Sequence, residues 1–160
     1  MEYEKVEHTL PPIYDKNSKI LILGSFPSRK SRENLFYYAH PQNQFWNIME
    51  KLFQERITNK LEFLLQHHIA LWDVIQSCEI KGSSDSSIQK VEVNDILSII
   101  NNSNITTIFT TGKKATTLYQ KYIEPITNIK CIYLPSTSPL YSKMKLEEKI
   151  KEYSIILTYL

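Results

Sequence analysis

Glycine occurs only three times in these 160 residues, and cysteine only twice. So few glycines leave no Gly-rich dinucleotide-binding loop, and no Gly-x-Ser-x-Gly elbow of a serine hydrolase is present. Cys78 and Cys131 lie far apart, which excludes a disulfide framework and a four-thiolate cluster. Each is read as a small buried hydrophobe or an indifferent thiol. No apolar run approaches the roughly 18 residues of a membrane span. The first 19 residues carry several charges and the pair Pro11-Pro12, with no apolar signal-peptide core, so a cytoplasmic, intracellular protein is expected. His8, His40, His67 and His68 show no paired ligand spacing, so no metal is expected. A net charge of +2 is too small to ask for a nucleic-acid partner, although clustered lysines would permit one.

What is present fits one soluble globular domain spanning residues 1–160, since 42% of the residues are hydrophobic and 22% charged. Residues 1–18 read as an arm wrapping the domain. Ile20-Leu21-Ile22-Leu23 is apolar on both faces, as a central parallel strand requires. Pro41 is read as opening a helix whose stripe is Phe45, Trp46, Met49, Leu52 and Phe53. A second helix is expected from Asn59 to His67, and a second strand over Ile69–Val74 that ends near Ser77. Lys81–Gln89, with Gly82 and four serines, reads as a loop. Asn94 is the expected cap of a helix over Asp95–Ile100. A strand at Ile105–Thr111, a helix at Lys113–Tyr122 and a strand at Cys131–Leu134 follow. Leu146, Ile150, Tyr153, Leu157 and Leu160 mark one face of a closing helix.

Alternating strands and helices predict a three-layer α/β/α fold around a central four-stranded parallel sheet. Ligands bind such sheets beyond the carboxyl ends of the strands. That rule selects Gly24–Ser31, Asp73–Ser77, Thr111–Lys114 and Pro135–Tyr141. The densest chemistry lies in Gly24-Ser25-Phe26-Pro27-Ser28 and Tyr37-Tyr38-Ala39-His40-Pro41-Gln42-Asn43-Gln44-Phe45-Trp46.

This run resembles the first motif of the hypoxanthine-DNA glycosylase branch of the uracil-DNA glycosylase superfamily. Ala70-Leu71-Trp72-Asp73-Val74, Asp85-Ser86-Ser87-Ile88, Asn94-Asp95 and Leu134-Pro135-Ser136-Thr137-Ser138-Pro139 agree in order, so the resemblance spans roughly Ile20 to Glu148. It implies a monofunctional glycosylase of base excision repair that hydrolyses an N-glycosidic bond without metal or cofactor. The base would be extruded from damaged DNA into a pocket. The DNA is either duplex or single-stranded, and the enzyme is expected to be a monomer.

By the resemblance Asn43 is the catalytic residue. An amide holds water through its oxygen and donates through its nitrogen, but it does not ionise. Gly24, Ser25, Phe26, Pro27, Tyr38, His40, Asp85 and Thr111 are the expected base pocket. Phe26 stands where related branches place aspartate or asparagine; it either stacks on the base or plugs the end of the core. Asp85 is a weak candidate for steadying positive charge on the sugar, whereas Asp73 is read as structural. Lys113 and Lys114, at odds with the dipole of their helix, are expected to meet phosphate.

Ser136, Thr137, Ser138, Pro139, Leu140 and Tyr141 resemble the loop that enters the minor groove. There hydroxyls pinch phosphates, and Leu140 or Tyr141 wedges into the gap left by the base. Ser136 replaces the histidine of the uracil-removing branch, and Thr111 replaces an asparagine common in relatives. Two alternatives therefore stay open. One is a glycosylase for uracil or several deaminated bases; the other is a noncatalytic DNA- or nucleotide-binding domain.

Overall fold

The computed structural model describes residues 2–82 and 84–160, and of Asp85 the backbone alone. Its strands are β1 (Glu4–Glu7), β2 (Ile20–Gly24), β3 (Ile69–Asp73), β4 (Ile75–Ile80), β5 (Gln89–Val93), β6 (Thr107–Thr111) and β7 (Cys131–Leu134). Its helices are α1 (Arg29–Asn34), α2 (Phe45–Phe53), α3 (Lys60–Gln66), α4 (Ile96–Asn101), α5 (Lys113–Leu118), α6 (Glu124–Thr127) and α7 (Leu146–Tyr153).

A four-stranded parallel sheet runs in the order β3-β2-β6-β7. Every residue of β2 is buried, because both faces of the sheet are covered. Leu21 and Leu23 pack with α4 and α5 through Ile96, Ile99, Ala115 and Leu118. Ile20 and Ile22 pack on the other side with Phe45, Ile48, Met49, Phe63 and Leu64 of α2 and α3, and with Tyr153 of α7. The alternation of neighbouring side chains between two cores is the physical content of the apolar run. It also gives the three layers read from the sequence.

A second sheet, ordered β1-β4-β5 and antiparallel, is absent from the sequence reading. The segment read as an arm supplies β1, and Ile13 forms a two-way bridge to Leu71 on the outer edge of β3. That bridge covers an edge that would otherwise expose unpaired backbone groups. Only Val74 separates β3 from β4, so the chain passes directly from one sheet to the other. Asn94 makes this passage possible. Its buried amide donates to Asp73 O at 2.9 Å and Ile75 O at 3.2 Å, satisfying the carbonyls on either side of Val74.

Asn94 is therefore not the cap of α4. Asp95 fills that position and accepts from Ser98 N–H at 3.1 Å. Pro41 likewise does not open a helix. It lies in a turn closed by Asn43 N–H to His40 O at 2.9 Å, and α2 begins only at Phe45. The helix expected to Tyr122 passes at Tyr119 into one wide turn and then α6. After Tyr153 the closing helix tightens into a 3₁₀ turn over Ser154–Tyr159. At three residues per turn Ile156 swings into the core, and Leu157 is left 43% exposed.

Candidate active site

The strand registers bring four chain positions to one level. Gly24 pairs with Asp73, Leu23 with Thr110, and Thr111 with Leu134. The strand order reverses direction between β2 and β6, the switch point at which open α/β sheets form a crevice. A cleft of about 960 Å³ opens there, large enough for a nucleotide. All four stretches selected from the sequence contribute to its walls, and it draws in Tyr38, His40 and Asn43 as well. Lys113, Lys114 and the whole run Ser136 to Tyr141 line it too. The Asp85 side chain lies outside the described residues.

A side chain on Gly24 would force Asp73 to shift, since a Cβ would stand 2.5 Å from Asp73 Oδ1. Phe26 lines the cleft while its ring packs on the upper core, against the edge of the His8 ring and beneath the Arg32 guanidinium. Phe26 thus closes the end of the core, the second of the two roles considered for it, and borders the cleft as well. Tyr38 adopts φ +54°, an uncommon backbone for a bulky residue. Its ring stacks on Phe45 with centroids 4.0 Å apart and planes 9° from parallel. Burial, and then the charge of Asp73, hold its phenol well above the usual tyrosine range.

Asn43 follows the turn at Pro41, and its Oδ1 accepts from Phe45 N–H at 2.9 Å. This bond fixes the amide plane and uses one of the two lone pairs on its oxygen. Gln42 N–H donates to His40 Nδ1 at 3.1 Å, so the other ring nitrogen of His40 carries the proton when the ring is neutral. Gln44 N–H donates to Thr137 O at 3.1 Å, tying the Asn43 loop to the Ser136–Tyr141 loop.

Within that second loop Ser136 Oγ accepts from Ser138 N–H, and Ser138 Oγ accepts from Leu140 N–H. Thr137 is buried, whereas Leu140 at the tip is 83% exposed. Lys149 is 1% exposed and supports the loop from below. Its ammonium donates to Gln44 Oε1 at 2.8 Å and Tyr141 O at 3.0 Å, and lies 5.2 Å from the centre of the Tyr141 ring. Burial lowers its pKa. Tyr141 thus covers Lys149 while Leu140 projects. Gly112, at φ +88°, turns the chain into α5 beside Ser136.

Asp73 was read as structural, and His8 carried no expected role in the site. Asp73, 4% exposed, lines the cleft, and His8 reaches Asp73 from the N-terminal segment with Nε2 to Oδ2 at 2.8 Å. Asp73 left a signal, as a carboxylate ending an apolar strand at the site face. His8 left none, because its partner lies 65 residues away. Among the described residues no group of three or more His, Cys, Asp or Glu is placed to hold a metal ion. Nor is any helix long and apolar enough to cross a membrane.

Comparison with known proteins agrees with this fold. The family model for the uracil DNA glycosylase superfamily matches residues 11–158. A hypoxanthine DNA glycosylase of Methanosarcina barkeri is 36% identical over 112 residues, covering 66% of this chain and 70% of that protein. A hypoxanthine DNA glycosylase of Methanosarcina acetivorans is 37% identical over 95 residues, 56% of this chain and 60% of its own length. The solution NMR structure of a candidate uracil DNA glycosylase from M. acetivorans superposes with a TM-score of 0.79. That pair shares 29% identity over 94% of this chain and 95% of the other. With the fold, the cleft at the strand ends and the match over residues 11–158 in agreement, the chain belongs to the uracil DNA glycosylase superfamily.

Proposed function

We propose that this DNA glycosylase removes a deaminated base, hypoxanthine foremost, from DNA in base excision repair, with Asn43 as its catalytic residue. The observation that carries the reading is the amide of Asn43, held in the cleft wall by Phe45 N–H, in a chain related to hypoxanthine DNA glycosylases. In the reaction the bond between the sugar C1′ and the base nitrogen breaks, and its electron pair leaves with the base. The oxygen of water bonds to C1′, and the water proton is passed on to the departing base or to solvent. The free lone pair of Asn43 Oδ1 orients that water, and its N–H groups are donors for negative charge on the base. Fixed donors act strongly here because the extruded base excludes water from the cleft.

The walls supply the DNA contacts. Leu140 is the apolar wedge that fills the stack when the nucleotide leaves it. Lys113 and Lys114 meet the backbone on the β6 side of the cleft. The direct test is strand cleavage by alkali after incubation with duplexes carrying one inosine, uracil or xanthine. Cleavage foremost at inosine is the expected result. Cleavage foremost at uracil would transfer the preference, and binding without any cleavage would end the catalytic reading.

Two further outcomes follow from the walls. Leu140→Ala is expected to slow excision from duplex DNA roughly tenfold and to leave single-stranded substrate nearly unaffected, since only the duplex has a gap to fill. Equal losses on both substrates would return Leu140 to an incidental exposed position. Changing Lys113 and Lys114 together to alanine should weaken binding to every duplex. It should also reduce the slope of log affinity against log salt by about two. An unchanged slope would show that the pair never reaches phosphate.

A further inference from the structure

His8 belongs to none of the motifs that identify the family, yet its side chain is only 2% exposed. Its backbone is secured just beyond β1 by donation to Gln76 O at 2.7 Å. The rings of Phe26 and Trp72 meet the imidazole edge-on, at 5.9 and 6.3 Å between centroids. A carboxylate oxygen can only accept, so Nε2 carries the proton it gives to Asp73 Oδ2. Burying a carboxylate is costly unless it is hydrogen-bonded, and His8 meets that requirement at one oxygen.

The other oxygen, Oδ1, stands over Gly24, where a Cβ would lie 2.5 Å from it and 3.5 Å from Tyr38 Oη. Asp73 and Tyr38 both line the cleft. The Tyr38 hydroxyl is buried and completes no hydrogen bond among the described residues, with Thr111 its polar neighbour. An orphaned hydroxyl buried in a binding cleft is costly unless a ligand satisfies it. Because burial holds its proton on, it can only be satisfied as a donor or as a neutral acceptor.

We propose that His8 is a positioning residue of the base pocket. By holding Asp73 Oδ2 it fixes Oδ1 as an acceptor beside the Tyr38 hydroxyl donor, and this pair selects bases presenting a ring N–H next to a carbonyl. Hypoxanthine, uracil and xanthine present that edge. Adenine and cytosine present the reverse, a ring lone pair beside an amino group, and would set a lone pair against the Asp73 carboxylate. The selection rests on the glycosylase reading above and deepens it, by giving one chemical reason why hypoxanthine and uracil enter while their parents adenine and cytosine do not; guanine carries the same edge as xanthine and is not turned away by this pair.

The test uses two readouts on the whole protein: NMR titration with free hypoxanthine and free adenine, and single-turnover excision at inosine. The wild-type protein should bind hypoxanthine at least about tenfold tighter than adenine. His8→Ala should erase that preference and slow excision about tenfold, without weakening affinity for undamaged duplex. His8→Gln, whose amide nitrogen can donate to the same oxygen, should restore both. Asp73→Asn, which donates as well as accepts, should narrow the preference.

Equal binding of the two bases by wild-type protein would overturn the proposal, even with excision intact. So would a preference that survives in His8→Ala. Loss in His8→Ala that only tracks a falling folded fraction, with no rescue by glutamine, would reduce His8 to a packing residue. A preference that depends on His8 in a protein that excises nothing would keep the pocket and remove the glycosylase reading.

Discussion

Replacing Asn43 with alanine is expected to slow excision by about a hundredfold or more while leaving duplex affinity nearly unchanged. The expectation rests on what the amide does twice. Toward the protein, Oδ1 accepts one backbone N–H at the start of α2, and losing such a contact costs about 1 kcal/mol. Toward the substrate, the remaining lone pair and the amide donors act only as charge separates between base and sugar. The folding cost is therefore small and the rate cost large, which calorimetry and single-turnover kinetics separate. Asn43→Asp sharpens the point, because it keeps the acceptor for Phe45 N–H but loses both donors. If Asn43→Ala loses rate only as far as it loses folded protein, the amide is a cap and nothing more.

Gly24→Ala should be strongly destabilising. The new carbon would stand 2.5 Å from Asp73 Oδ1. Asp73 cannot swing aside without releasing His8 from its other oxygen, in a pocket where the His8 and Asp73 side chains are 2% and 5% exposed. Overpacking of this kind costs about 1–3 kcal/mol, and in a domain of this size that lowers the melting temperature by about 3–10 °C. Excision should fall as well, since the methyl displaces Asp73 Oδ1, a residue that lines the cleft. The mechanism can be checked with a double mutant. Shortening Asp73 to serine removes the clash, so Gly24→Ala should cost much less in that background. An undiminished cost there would mean that β2 itself, and not the carboxylate, rejects the side chain.

The parallel sheet was legible because its signal is local. Ile20 to Leu23 reads as a strand buried on both faces, and in the structure its side chains do alternate between two cores. The cleft followed by topology alone, since strand ends that share a register must share a site. What stayed hidden depended on partners distant in sequence. β1 shows one buried Val6 among exposed, mostly charged residues, a pattern no periodicity separates from a loop. Asn94 and Asp95 are equally good caps on paper. The difference is that Asp73 O and Ile75 O need donors, which asparagine has and aspartate lacks. Leu157 was misplaced because the chain changes from α to 3₁₀ at Ser154, and a 3.6-residue period no longer applies.

The way residues 4–13 are tied in has a consequence for the order of assembly. β1 pairs only with β4, Ile13 bridges to Leu71, and His8 waits for Asp73. Residues 4–13 are thus locked only after a segment made much later has emerged. β2 is in the same position, because its partner β6 runs from Thr107 to Thr111. Such long-separated pairings slow folding and leave an apolar strand uncovered in the meantime. The pocket is therefore a late product of folding: a ribosome must release residues through Tyr141 before a base could find every wall in place.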